Sequence, residues 1–226
     1  MKPVPPKNLN PFARELLEKM AGHDEASEIV IGGGVALSHY LEYRDTVDLD
    51  SWWRRDRHES AAAFMEACMK EMAARHQLNY RYRKWSETES MELLRGGQKV
   101  FSFQISKRTV YLDDVMPAEW RPLWIETLRD NIASKMTALV QRGAPRDFSD
   151  IYELVHAGVC ESADCWQLYA LKNPGETVDE AKRKVLAKLE MIAVSRPVES
   201  IQPPSARERA SLVRDWYRNY FSAHSP

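Results

Sequence analysis

The sequence has few cysteines, few glycines and no long apolar run. Its 226 residues include three cysteines and nine glycines. Three widely spaced cysteines without a secretory segment exclude a small secreted protein held together by several disulfides. No apolar run approaches the roughly 20 residues with which a helix crosses a bilayer. The chain opens on a polar, proline-rich segment, MKPVPPKNLNP, rather than on a signal-like one, so we expect a cytoplasmic protein.

The chain also lacks an excess of either charge. It carries 32 basic and 33 acidic side chains, for a formal net charge of −1. Binding to nucleic acid would therefore need a local basic patch rather than the field of the whole molecule. Apolar residues make up 44% of the chain and charged residues 29%, which excludes a disordered composition and predicts a folded globular protein.

Hydrophobic spacing predicts an α+β protein in which the strands come first. Residues 1–120 are predicted to form a small mixed β-sheet core, and residues 121–226 a helical C-terminal domain. Period-two patterns and β-branched runs predict strands over 28–31, 46–50, 78–85, 90–94 and 100–106, with a hairpin at Gly96-Gly97. Helical spacing predicts a helix over 11–20, with Asn10 as its cap and Pro11 at its first position, and a helix over 58–76. It also predicts helices over 126–142, 147–157, 162–172, 177–194 and 206–221.

Two acids alternate on the second predicted strand. Asp48 and Asp50 point to one side of it, whereas Val47 and Leu49 point to the other. Such a pair of carboxylates can hold Mg²⁺ together with the phosphate oxygens of a nucleotide. The solvent side of an ordinary edge strand carries acids in the same way. A glycine turn, Gly32–Gly34, precedes the strand, and glycine lets a backbone approach a phosphate closely.

The order of these features resembles the AbiEii/AbiGii toxin family of polymerase-β-like nucleotidyltransferases. Its first motif corresponds to GGVAL at 33–37, Arg44 and TVDLD at 46–50. Its second motif corresponds to the helix that carries Lys135 and to the basic turn and acids of RGAPRDFSDIY at 142–152. The resemblance implies transfer of a nucleotide from a nucleoside triphosphate (NTP), with Mg²⁺ as cofactor.

The resemblance also implies roles for individual residues. It assigns the metal to Asp48 and Asp50, and catalysis to these two residues with Lys135 and Asp150. It assigns contacts with the nucleotide to Gly33, Gly34, Arg44, Lys135, Arg146 and Asp147. The residues alone leave alternatives open. Lys135 lies beside an apolar helical stripe, where lysines usually extend their amines to water, and acids such as Asp147 favour the first turn of any helix.

One position departs from the family pattern. Related enzymes commonly carry a third carboxylate on a later strand, where it can act as a base, but residues 100–106 read VFSFQIS. Gln104 is the candidate for that place, and a glutamine cannot take up a proton. Two alternatives therefore stay open. They are transfer to a small molecule or a protein, and an inactive relative that binds a nucleotide or a partner.

The resemblance further implies the toxin of a toxin–antitoxin or phage-defence system, with tRNA as acceptor and a cognate antitoxin protein as partner. A second feature could serve an RNA. Arg81, Arg83 and Lys84 interleave with Tyr80, Tyr82 and Trp85 on one predicted strand. This pattern is typical of a nucleic-acid surface and equally of an amphipathic strand.

Overall fold

Among residues 1–221, which the computed structural model describes, seven strands form one mixed sheet. They are β1 (Ile29–Ile31), β2 (Asp48–Trp53), β3 (Asn79–Trp85), β4 (Thr88–Arg95), β5 (Gln98–Ser106), β6 (Met116–Pro117) and β7 (Trp124–Ile125). Eight α-helices are described with them: α1 (Pro11–Met20), α2 (Gly33–Ser38), α3 (Glu59–Arg75), α4 (Leu128–Gln141), α5 (Pro145–His156), α6 (Ser162–Lys172), α7 (Val178–Ser195) and α8 (Pro204–Trp216). The predicted α+β class is confirmed.

The chain divides into two compact units, one over Met1–Asn131 and one that begins at Ile132. The predicted domains, 1–120 and 121–226, had their boundary in the segment before the helices, whereas this division falls inside α4. Residues 222–226, the end of the predicted second domain, lie outside the described residues. No helix of residues 1–221 has the length and apolar character to cross a membrane.

The sheet of the first unit runs in the order β3-β4-β5-β2-β1-β7-β6. β2 pairs with β5 in parallel and β1 with β7 in parallel, while the other pairs are antiparallel. The predicted hairpin joins β4 to β5. Its tight turn is possible because Gly96 and Gly97 have φ values of +54° and +82°, which glycine adopts without a steric penalty. β6 and β7 were not predicted, since two residues are too few to show an alternating pattern.

One side of the sheet packs on α1 and α3 to form the core of this unit. The buried side chains include Leu16, Leu17, Met65, Met69, Leu49, Trp53, Phe101 and Phe103. α1 begins where the sequence predicted, because the Asn10 side chain accepts a hydrogen bond of 2.9 Å from the Phe12 amide and Pro11 occupies the first helical position. The opposite side of β2 does not face this core and can therefore carry polar groups.

The second unit is helical throughout its described residues. Its buried side chains include Phe148, Ile151, Leu154, Tyr169, Val185, Leu189 and Tyr217. Tyr217 donates a hydrogen bond of 2.9 Å to the Phe148 carbonyl and packs edge-on against the Phe148 ring. The helix predicted over 206–221 begins at Pro204, and its last turn, Tyr217–Phe221, widens to a π-helix.

Candidate active site

One side of the sheet carries the two candidate metal-binding acids, and we call it the polar face. In-register residues of paired strands lie on the same side of a sheet. The registers define three rows that cross β2, β5, β4 and β3 in turn: Asp48–Ser102–Glu92–Arg81, Asp50–Gln104–Ser90–Arg83 and Trp52–Ser106–Thr88–Trp85. Side-chain hydrogen bonds follow these rows, as between Thr88 and Ser106 at 2.8 Å.

Asp48 lies at the start of β2 and is 6% exposed. Its Oδ1 accepts a hydrogen bond of 2.7 Å from the fully buried Ser102 hydroxyl, and the Lys99 ammonium lies 2.7 Å from the same oxygen. Both partners belong to β5, so the parallel pairing of β2 with β5 brings them to the acid. The Lys99 ammonium therefore offsets the charge of the Asp48 carboxylate in this structure.

Asp50 lies directly against the glycine turn. Gly33 has φ +58°, a left-handed conformation, and a Cβ built on it would lie 2.6 Å from the Asp50 Cβ and closer still to its carboxylate. The neighbouring Gly34 faces Thr46 and Arg44, whose Nη2 atom lies 3.5 Å from the place of a Gly34 Cβ. The turn, Arg44 and the acidic strand, which the sequence motif joins, are therefore neighbours in space.

Substitution of Gly33 by alanine is expected to lower the free energy of unfolding by about 2 kcal/mol. The left-handed conformation costs a residue with a Cβ about 1–2 kcal/mol, and the close approach of Asp50 adds to this cost. Thermal unfolding measures the change, and Tm should fall by about 4–8 °C in a protein of this size. Gly22→Ala is the control, because Gly22 has φ +80° but no atom within 4 Å of a Cβ. An equal fall in Tm for both variants would show that the contact with Asp50 adds nothing.

Glu126 fixes the backbone of the glycine turn. It is fully buried, and its Oε1 accepts hydrogen bonds from the Gly33 amide at 3.1 Å and from the Asn131 side chain at 2.5 Å. Asn131 also donates to the Gly33 carbonyl at 2.9 Å. Hydrogen bonds therefore hold both the amide and the carbonyl of Gly33. The predicted contact of the Gly33-Gly34 backbone with phosphate stays a prediction, and the Gly33 amide donates to Glu126 in this structure.

A buried arginine balances the charge of Glu126. The Arg108 Nη1 atom lies 2.7 Å from Glu126 Oε2, which also accepts a hydrogen bond of 3.1 Å from the Trp52 indole. The guanidinium stacks over the Trp52 ring at 4.5 Å from its centroid. Burial, with the nearby Glu126 carboxylate, raises the pKa of Tyr40 to about 12, so its phenol stays protonated and donates to the Glu126 carbonyl at 3.0 Å. This network positions the turn that contacts Asp50.

The residues of the polar face fit Mg²⁺. Within residues 1–221 no group of three or more His, Cys, Asp or Glu side chains could hold a metal. Mg²⁺ does not need one, because it is usually bound through one or two carboxylates together with water and substrate phosphates. Asp48 and Asp50 supply such oxygens, and in this structure Asp48 Oδ1 is paired with the Lys99 ammonium. Gln104, the in-register neighbour of Asp50, supplies no third carboxylate.

The second unit contains the other predicted site residues. The Lys135 ammonium lies 2.7 Å from Asp150 Oδ2, and the two side chains are 11% and 0% exposed. Asp147 is 1% exposed and accepts hydrogen bonds from the Ala144 amide at 2.8 Å and from two nitrogens of Arg142 at 3.0 and 2.6 Å. Asp147 therefore caps α5, while Arg146 is exposed in its first turn. Their contacts with a nucleotide stay predictions.

Four residues around the acids and the glycine turn were not predicted from the sequence: Lys99, Ser102, Glu126 and Asn131. Lys99 and Ser102 meet Asp48 only because β5 lies parallel to β2, and no local pattern shows which strands pair. Glu126 precedes α4 and Asn131 lies in its first turn, where polar residues are common at the start of any helix. Polar residues at a helix start are usually solvated, so the sequence alone does not identify these two as members of a buried network.

A comparison with family models agrees with the two sequence motifs. A family model described as "Nucleotidyl transferase AbiEii toxin, Type IV TA system" matches residues 15–211. Among solved structures, the crystal structure of the Megavirus polyadenylate synthase matches with 8% sequence identity and a TM-score of 0.40, over 99% of this chain and 53% of that one. The chain thus spans about half the length of that protein. The search of curated proteins gave no significant match.

Proposed function

This chain belongs to the AbiEii nucleotidyltransferase toxin family, as its motifs predicted, and we propose that it transfers a nucleotide from an NTP to the end of a tRNA in the cytoplasm. The observation that carries the proposal is the pair of acids on the polar face, with Asp50 packed against a glycine turn that a buried network holds in place. The choice of tRNA as acceptor follows from the family alone.

In the proposed reaction a hydroxyl of the acceptor attacks the α-phosphorus of the NTP, and the new O–P bond replaces the bond to pyrophosphate, which leaves. The hydroxyl proton passes to water, because Gln104 cannot take it up. Mg²⁺, when bound, offsets the negative charge of the triphosphate and polarises the phosphoryl group. Asp48 and Asp50 would hold this ion, and the glycine turn would keep the Asp50 carboxylate in one orientation. Ser102 would do the same for Asp48 through its buried hydroxyl.

Positive side chains would neutralise the phosphates. We include Lys135, Arg44 and Arg146 in this role, as the family motifs imply, because cations beside phosphate offset the charge that develops on the leaving pyrophosphate. Asp150 would orient Lys135, whose amine it contacts at 2.7 Å. A toxin of this kind would be restrained by a cognate antitoxin protein, and we propose that this pair acts in toxin–antitoxin control or phage defence.

A transfer assay tests the proposal. The purified protein is incubated with each α-labelled NTP, Mg²⁺ and total tRNA, with and without a chelator, beside Asp50→Asn. Label that enters RNA only with Mg²⁺ and the unsubstituted protein supports the proposal and identifies the nucleotide. Label in a protein band or a small product would contradict RNA as the acceptor and support the alternative substrates.

A second candidate is a relative that binds a nucleotide without transferring it. Two observations favour it: Gln104 occupies the place next to Asp50, and the Lys99 ammonium contacts Asp48. Isothermal titration calorimetry with each NTP separates the two functions. Nucleotide binding without label in any product would support the binding protein and contradict the transferase.

A further inference from the structure

The polar face extends from the candidate metal-binding acids to an edge strand. Three strand spacings of about 4.8 Å separate β2 from β3, so the edge lies about 14 Å from the acids. The three rows of side chains end on β3 at Arg81, Arg83 and Trp85. These side chains are on the same side of the sheet as Asp48 and Asp50.

The edge of the polar face is positively charged. The Nε atoms of Arg81 and Arg83 lie 2.6 and 3.6 Å from one oxygen of Glu92, so a single carboxylate faces two guanidinium groups. The Glu92 side chain is 9% exposed, whereas those of Arg81 and Arg83 are 42% and 50% exposed. Solvent and ligands therefore meet the cations and not the acid. A guanidinium group has five N–H donors, and Glu92 contacts Arg81 and Arg83 through the Nε atom of each.

An exposed indole stands beside these cations. Trp85 is 49% exposed and ends the row that begins at Trp52. A tryptophan left half in water at a sheet edge contributes little to the core, and its flat ring is suited to stacking on a base. Guanidinium groups that track phosphates, combined with an aromatic ring, bind single-stranded nucleic acid with little sequence preference.

We propose that Arg81, Arg83 and Trp85 bind the acceptor as a single RNA strand, with the guanidinium groups on phosphates and the indole on a base. This inference rests on the proposed function, because it takes the reacting end of the RNA to lie at Asp48 and Asp50. A strand that begins there and crosses β5 and β4 reaches β3 within a few nucleotides. The two arginines and the indole lie in the same rows of side chains as the acids. An RNA strand that reacts at the acids would follow these rows, whereas an acidic protein bound at the edge would not need them. The arrangement therefore favours RNA.

The test is fluorescence anisotropy with a labelled single-stranded RNA oligonucleotide at several salt concentrations. Arg81→Gln/Arg83→Gln should weaken binding about tenfold, and the slope of log Kd against log salt should fall by about 1.4, or 0.7 for each lost phosphate contact. Trp85→Ala should weaken binding about tenfold without changing the slope, because stacking releases no counterions. Circular dichroism and thermal unfolding check that each variant is folded.

The control removes the same charge from the other side of the sheet. Lys70 and Arg75 lie on α3, are 58% and 55% exposed and pair with carboxylates, as Arg81 and Arg83 do. Lys70→Gln/Arg75→Gln should leave the affinity and the salt slope unchanged. An equal loss in both double variants, or wild-type binding by Arg81→Gln/Arg83→Gln, would overturn the proposed surface.

A transfer assay on the same RNA separates this inference from the proposed function. If the wild-type protein labels the RNA and Arg81→Gln/Arg83→Gln does so with an unchanged KM for RNA, the surface is wrong and the transferase stands. If no variant transfers label but RNA binding still depends on Arg81, Arg83 and Trp85, the surface stands and the proposed reaction is wrong. We expect a raised KM for RNA and an unchanged KM for the NTP.

Discussion

Asp48→Asn is expected to lower the rate of nucleotide transfer about 1,000-fold while leaving the protein folded. An amide keeps the hydrogen bond from Ser102 but loses the negative charge that would hold Mg²⁺. A loss of about 4 kcal/mol of transition-state stabilisation corresponds to this factor. Label transfer at saturating NTP measures the rate, and calorimetry with Mg²⁺ and NTP should show a weakened dependence of nucleotide binding on the metal.

A second aspartate provides a matched control for this substitution. Asp56 pairs with Lys107 at 2.7 Å, the same distance that joins Asp48 to Lys99, but its side chain is 80% exposed and lies beyond the end of β2. Asp56→Asn should transfer nucleotide at the wild-type rate. Full activity in Asp48→Asn, or an equal loss in the two variants, would remove Asp48 from the proposed metal site.

Asp150→Asn is expected to destabilise the protein by about 3–5 kcal/mol. The substitution leaves the Lys135 ammonium buried without its carboxylate, and an uncompensated buried charge costs about this much. Tm should fall by roughly 6–20 °C. The double variant Lys135→Met/Asp150→Leu removes both charges and should recover most of this stability, since a buried ion pair and apolar side chains of similar volume are often equally stabilising.

The same double variant separates the structural role of this pair from its proposed role in catalysis. If Lys135 neutralises phosphates, the double variant should be folded and stable but should transfer nucleotide poorly. Wild-type transfer by this variant would show that the pair only stabilises the second unit. Lys184→Met breaks a comparable ion pair, that with Glu176 at 2.7 Å, but the lysine is 56% exposed. We expect it to cost less than about 1 kcal/mol.

The sequence predicts those parts of the fold that depend on neighbours along the chain. α6 spans the residues predicted for it, Ser162–Lys172, and α3 differs from its prediction by one residue at each end. β2 differs more, because its prediction ended at Asp50 whereas the strand continues through Trp52 and Trp53. The large aromatic residues favour a strand, but the alternation of apolar and polar residues breaks at Ser51, so the pattern does not extend to them.

The candidate site was predicted only in part for the same reason. The order of the glycine turn and the acidic strand is a local feature, and in the structure Gly33 and Asp50 are in contact. The contacts that fix these residues come from distant segments. Lys99 reaches Asp48 across a parallel pairing, and Glu126 reaches Gly33 across 93 residues. Neither follows from spacing, since both depend on which elements pack together.

The hydrogen bonds that Gly33 makes with Glu126 and Asn131 also bear on the order in which the glycine turn is fixed during synthesis. They join residues 93 and 98 positions apart, so the turn cannot be held until the ribosome has added them. At roughly 5–20 residues per second, this takes roughly 5–20 s after Gly33 is made. The nascent chain therefore carries both acids of the polar face well before it can orient the turn beside them. The synthesis of the two acids and the fixing of the turn beside them are separated in time by the order of the sequence itself.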